Sequence, residues 1–100
     1  MMRALILVYG KELGTREQVK VCLDQMPEVA SWRYELPNCF FILSESSPRE
    51  LGNAIVERLN VQVPRFIISE VTSDYFGWLV PDTAKFLIQK DVAAKGELGE

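Results

Sequence analysis

Two groups of side chains in this 100-residue chain have types and spacing that can do chemistry. Glu45, Glu70 and Asp74, interleaved with Ser44, Ser46, Thr72 and Ser73, supply three carboxylates and several hydroxyls. That is the oxygen-rich set a hard cation takes. Lys11 and Arg65, with the amide of Asn38, supply two cations and a hydrogen-bonding group able to receive a phosphate or a carboxylate. Histidine is absent, which removes the commonest general base and the commonest zinc ligand and leaves no Ser-His-Asp or Cys-His relay. Cys22 and Cys39 lack any metal-ligand spacing and read as free, buried thiols acting as small apolar side chains.

Whether either group converges depends on the elements that carry it. ALILVY (4–9) is a continuous apolar, β-prone run, the mark of a strand buried on both faces. Thr15-Arg16-Glu17-Gln18 matches a capping box, and Val19, Cys22, Leu23 and Met26 follow at helical spacing until Pro27. Ala30, Trp32, Tyr34 and Leu36 alternate with Ser31, Arg33 and Glu35, which predicts a strand with one polar face. Pro37-Asn38 turns the chain into CFFIL (39–43), another two-faced apolar strand. Ser47-Pro48-Arg49-Glu50 opens a second helix, with proline at its first position and Leu51, Ala54, Ile55 and Leu59 on one face. RFIISEV (65–71) is the fourth strand.

The order is β-α-β-β-α-β plus a short C-terminal element. Right-handed crossovers then put the first and third strands in the middle of a four-stranded antiparallel sheet. The expected fold is α+β, a ferredoxin-like βαββαβ sandwich. Residues 1–90 read as one domain and the aperiodic 91–100 as a flexible tail. This topology gathers Lys11, Asn38 and Arg65 at the Gly10 rim and sends Glu45, Glu70 and Asp74 to the opposite one.

A net charge of −3 disfavours non-specific nucleic-acid binding, which needs clustered Lys and Arg. Apolar content of 48% against 25% charged residues places the chain among globular domains. The apolar run after Arg3 is too short to span a bilayer and carries no cleavage signal, so the expectation is a cytoplasmic protein without membrane contact.

Both helices of this topology cover one sheet face. Three of the strands are apolar on both faces, so Phe40 and Ile42, or alternatively Phe41 and Leu43, must point away from the helices. A patch of several such side chains is unusual on a monomer and predicts a twofold homodimer. The competing cover is the C-terminal element. In SDYFGWLVPDTAKFLI (73–88), only Lys85 accompanies the aromatic rings, against Asp74 and Asp82. A nucleic-acid stacking platform needs interleaved Lys or Arg. Gly77 permits a bend, Val80-Pro81-Asp82 starts a helix, and Ala84, Leu87 and Ile88 share its inner face. Trp78 and Phe86 are then expected to pack as a lid on the sheet or on a dimer seam.

W-x-Y-E-L in the second strand, SSPRELGNAI opening helix two, and RFIISEV followed by GWLVPDTAKFLI resemble a group of small ferredoxin-fold proteins. These are related to the second CRISPR-associated protein and often called SinR-like; the resemblance spans most of residues 3–88. It implies a homodimer and, in nuclease members, a phosphodiesterase dependent on a divalent metal. In those members an aspartate follows a tyrosine at the end of the first strand, one carboxylate per subunit holding the metal. Tyr9 matches here, but Gly10 stands where the aspartate would be, and glycine cannot ligate a metal. Glu12, two residues on, is the carboxylate positioned to substitute.

Three functions follow as expectations. The first is a non-catalytic, homodimeric interaction or regulatory protein without a cofactor, with a further protein partner. The second is a magnesium- or manganese-dependent nuclease with a relocated carboxylate, acting on nucleic acid. The third is a small-ligand regulatory domain.

Overall fold

Two capping boxes set where the first helices begin. Thr15 Oγ1 accepts from the Gln18 amide at 3.2 Å while Gln18 Oε1 accepts from the Thr15 amide at 2.8 Å. Ser47 and Glu50 make the same reciprocal pair at 3.2 and 2.9 Å. In the computed structural model, which describes residues 1–90, these boxes open α1 (Arg16–Gln25) and α2 (Pro48–Leu59). Asn60 ends α2 in the left-handed conformation, φ 54°, which asparagine tolerates better than most residues. The tail 91–100 lies outside the described residues.

The strands are β1 (Arg3–Tyr9), β2 (Ser31–Arg33), β3 (Cys39–Ser44) and β4 (Phe66–Glu70), and a third helix, α3 (Pro81–Gln89), follows. They form an antiparallel sheet in the order β2-β3-β1-β4, the ferredoxin-like arrangement expected from the element order. β2 is shorter than its alternating pattern suggests, because pairing with β3 ends at Arg33↔Phe41.

Register decides which side chains face the helices. Leu5 pairs with Ile42 and Leu7 with Phe40, so these four share one face. There they join Val19, Leu23, Leu51 and Ile55 in the main core. Phe40 and Ile42 are therefore interior residues packed beneath α1 and α2, not dimer contacts. Phe40 is the hub of an aromatic cluster, edge-on to Trp32 at 5.4 Å and to Tyr34 at 5.5 Å. Trp32 satisfies its indole N–H by donating to Asp24 Oδ1 at 2.7 Å.

The alternate pair, Phe41 and Leu43, turns to the outer face, where α3 covers it. Phe86 and Leu87 pack with Ala4, Cys39, Phe41 and Leu43 in a second, smaller core. Glu35 anchors the start of α3, its two carboxylate oxygens accepting from the Val80 amide at 3.0 and 3.2 Å. Phe86 thus packs against the outer face of the sheet. Trp78 does not: it is 90% exposed, as is Phe76 at 91%, because the chain before α3 has no regular structure to press them inward. Ile88 is also exposed, since the face of α3 turned to the sheet is Thr83, Phe86 and Leu87 at helical spacing, and Ile88 lies a further 100° or so around.

The cover has a second consequence. Ser31 and Arg33, expected on a solvated face of β2, are buried. Arg33 is only 2% exposed, with its guanidinium carbon 6.0 Å from the centre of the Phe86 ring. Its Nε and Nη2 find no hydrogen-bond partner among the described residues, and neither does the buried hydroxyl of Thr83. α3 covers only the β2–β3 side of this face, together with Ala4. At the far corner Val8 and Ile67 face each other across β1 and β4, exposed to 44% and 66%.

Candidate functional site

At the end of β1 the backbone brings the expected rim together. The Tyr9 amide donates to the Asn38 carbonyl at 3.1 Å, and the Gly10 amide donates to the Arg65 carbonyl at 2.9 Å. A turn follows, closed by the Leu13 amide on the Gly10 carbonyl at 3.0 Å, which leaves Lys11 and Glu12 exposed at its tip. Asn38 holds φ 56° at the hairpin turn. Lys11, Glu12 and Arg65 form no ion pair among the described residues.

Glu12 is the residue the geometry singles out. Its Oε1 lies 2.6 Å from the point where a Cβ on Gly10 would stand, with the Arg65 Cβ 3.6 Å from the same point. The carboxylate fills the space that a side chain at position 10 would occupy. The preceding residue, Tyr9, points the other way, into the main core, and stacks on Phe40 at 6.0 Å. Burial pushes its phenol above the ordinary value, with the Arg16 guanidinium acting against the shift.

At the opposite rim the three carboxylates do not converge. Arg3 Nη1 holds Glu70 Oε1 at 3.0 Å. Among the described residues no cluster of three or more His, Cys, Asp or Glu side chains could hold a metal. Two of the hydroxyls nearby are already engaged: Ser44 Oγ donates to the Glu28 carbonyl at 2.6 Å and accepts from the Ser46 amide at 3.0 Å, while Ser47 caps α2. Asp74 and Glu70 both line a cavity of about 400 Å³, and Glu45 does not.

That cavity lies on the outer face of the sheet. Ile6, Phe41 and Leu87 form its floor, and the chain from Val71 to Leu79 curves over it. Tyr75, Phe76 and Trp78 line it while remaining exposed. The crowding of these rings was visible in the sequence and read there as closure. Their solvated position above a hollow depends on the path of the chain between β4 and the Glu35 anchor of α3, which carries no periodic signal.

Both thiols are buried and held toward their neutral form. Burial pushes the Cys39 thiol up to about 11 and raises Cys22, whose Sγ donates to Met26 Sδ at 3.6 Å. Among the described residues no helix is long and apolar enough to cross a membrane. No protein family, curated protein or solved structure matches the chain.

Proposed function

We propose that the chain is a non-catalytic, homodimeric interaction module built on a nuclease-like ferredoxin fold. The observation that carries this reading is the uncovered corner of the outer sheet face, where Val8 and Ile67 stand directly opposite each other in the ladder. Full burial of such side chains is worth about 1.5–3 kcal/mol each. α3 leaves this corner bare while it covers the β2–β3 side of the same face, and a twofold pairing of two such corners is self-complementary. Ile67→Glu places a charge at the centre of the seam, and the expected result is a dimer in the parent and a monomer in the variant. A variant that still dimerises moves the interface elsewhere.

A second reading is favoured by one observation, the carboxylate of Glu12 in the space of a residue-10 side chain. The resemblance to the CRISPR-associated group requires one carboxylate per subunit, and Val8 and Ile67 are each two residues from the Gly10–Arg65 contact. Pairing at that corner brings two copies of Glu12 toward a common axis. Magnesium or manganese bound there supplies a Lewis acid for phosphodiester hydrolysis, and Lys11 and Arg65 supply charge for the phosphate. The first reading predicts no cleavage of single- or double-stranded RNA or DNA with either metal. Metal-dependent cleavage lost in Glu12→Ala reverses the order of the two.

A further inference from the structure

The cavity under residues 71–79 belongs to neither reading, and its chemistry is one-sided. At about 400 Å³ it falls within the ~300–1,000 Å³ range of small-molecule sites. Its floor is apolar, and Phe41 and Leu87 there are held by the second core. Its rim is aromatic, with Tyr75, Phe76 and Trp78 presenting ring surface to water. No lysine or arginine lines it among the described residues.

The carboxylates nearby are sorted by their partners, and the cation Lys90 lines an adjoining hollow rather than this one. Glu70 contributes to the wall but is bonded to Arg3. Glu35, next to the lining residue Leu36, is held by the Val80 amide. Asp74 is exposed and makes no ion pair among the described residues, so its negative charge is available at the mouth. Gly77, in the middle of the rim, has nothing within 4 Å of where a Cβ would stand, which leaves the chain between Phe76 and Trp78 room to adjust around a guest.

A neutral apolar guest would use the floor alone. An anion would meet the negative faces of the rings and the Asp74 carboxylate. A cation on an apolar body satisfies all three features, because ring faces attract cations and most strongly when the cation carries little hydration. We propose that this cavity binds a small hydrophobic organic cation, an alkyl- or aryl-ammonium compound, with its apolar part over Ile6, Phe41 and Leu87 and its cationic head among Tyr75, Trp78 and Asp74. Binding there is independent of the Val8–Ile67 corner and of Glu12.

The test uses the full chain with three probes of similar size: benzyltrimethylammonium, phenylacetate and benzyl alcohol. The readout is the methyl NMR shifts of Ile6 and Leu87. Saturable shifts with benzyltrimethylammonium are expected, with affinity at least tenfold above that of either other probe. Trp78→Ala and Asp74→Asn each weaken that affinity, by about fivefold or more for the ring. Both positions are exposed, so neither variant threatens the fold. Equal affinity for all three probes, the absence of saturable shifts, or full binding retained in both variants would overturn the proposal. The same titration on Ile67→Glu gives the same result if the site is separate from self-association. A cavity that binds only in the self-associating parent would overturn that independence.

Discussion

The Glu12 carboxylate occupies the space above Gly10, with Oε1 2.6 Å from the position of an added Cβ. The obstructing atom is the far end of an exposed, flexible side chain, and the other neighbour, the Arg65 Cβ, is at an ordinary 3.6 Å. Gly10→Ala is therefore expected to swing Glu12 outward at a stability change within about 0.5 kcal/mol, the usual range for surface substitutions. Chemical denaturation measures the stability, and the Glu12 side-chain NMR shifts report the displacement. A loss of several kcal/mol would mean that the Gly10–Leu13 turn is rigid and holds Glu12 in place.

Stability should fall in alkali. The Cys39 thiol is raised by burial from 9.0 to about 11, so between those values the unfolded chain has released a proton that the folded chain retains. Stabilisation from the neutral thiol is complete below pH 9 and is lost as pH rises toward 11. Tyr9 and Cys22, also raised by burial, act in the same direction. Denaturation of the parent and of Cys39→Ala between pH 8 and pH 11 checks this. The variant is expected to lose less stability over that interval, by at most about 2 kcal/mol. Parallel curves would place the responsible group elsewhere.

Arg33 is a buried cation whose Nε and Nη2 are unpaired among the described residues. Even a paired buried charge is often replaced by a well-packed apolar residue with no loss or a gain of about 1–4 kcal/mol. Arg33→Met keeps much of the stem that packs near Phe86 and removes the charge, so a higher melting temperature is expected. A lower one would mean that the guanidinium contributes more to the fold than its unpartnered Nε and Nη2 imply.

The two capping boxes offer a calibrated comparison. Thr15→Ala and Ser47→Ala each remove a side-chain oxygen that accepts from a helix amide, and each is expected to cost about 1 kcal/mol. The two sites begin different helices, so the double variant should lose the sum. Urea denaturation of the three variants reads this directly.

Much of this architecture was legible in the sequence. Thr15-x-x-Gln18 and Ser47-Pro48-x-Glu50 announce helix starts through local hydrogen bonding, and period-two apolar runs mark the strands whatever their neighbours. The parity of β3 was not legible: Phe40 and Phe41 are equally apolar, and only the register against Leu7 and Ile6 says which faces the helices. Arg33 illustrates the same limit. Its alternation with Trp32 correctly predicts opposite faces, but the burial of the Arg33 face comes from α3, forty-eight residues further on at Pro81. The approach of Asn38 and Arg65 to the end of β1 followed from topology alone, because strand order fixes which loops share a rim. The cavity beneath Trp78 depends on an irregular segment, where side-chain direction is set by tertiary contacts rather than by any period.

The central claim is self-association, and the mass in solution tests it most directly. Light scattering on the chain at micromolar concentration is expected to give twice the 11.4 kDa chain mass, falling to 11.4 kDa in Ile67→Glu. A parent that runs as a single 11.4 kDa species at that concentration would contradict the account.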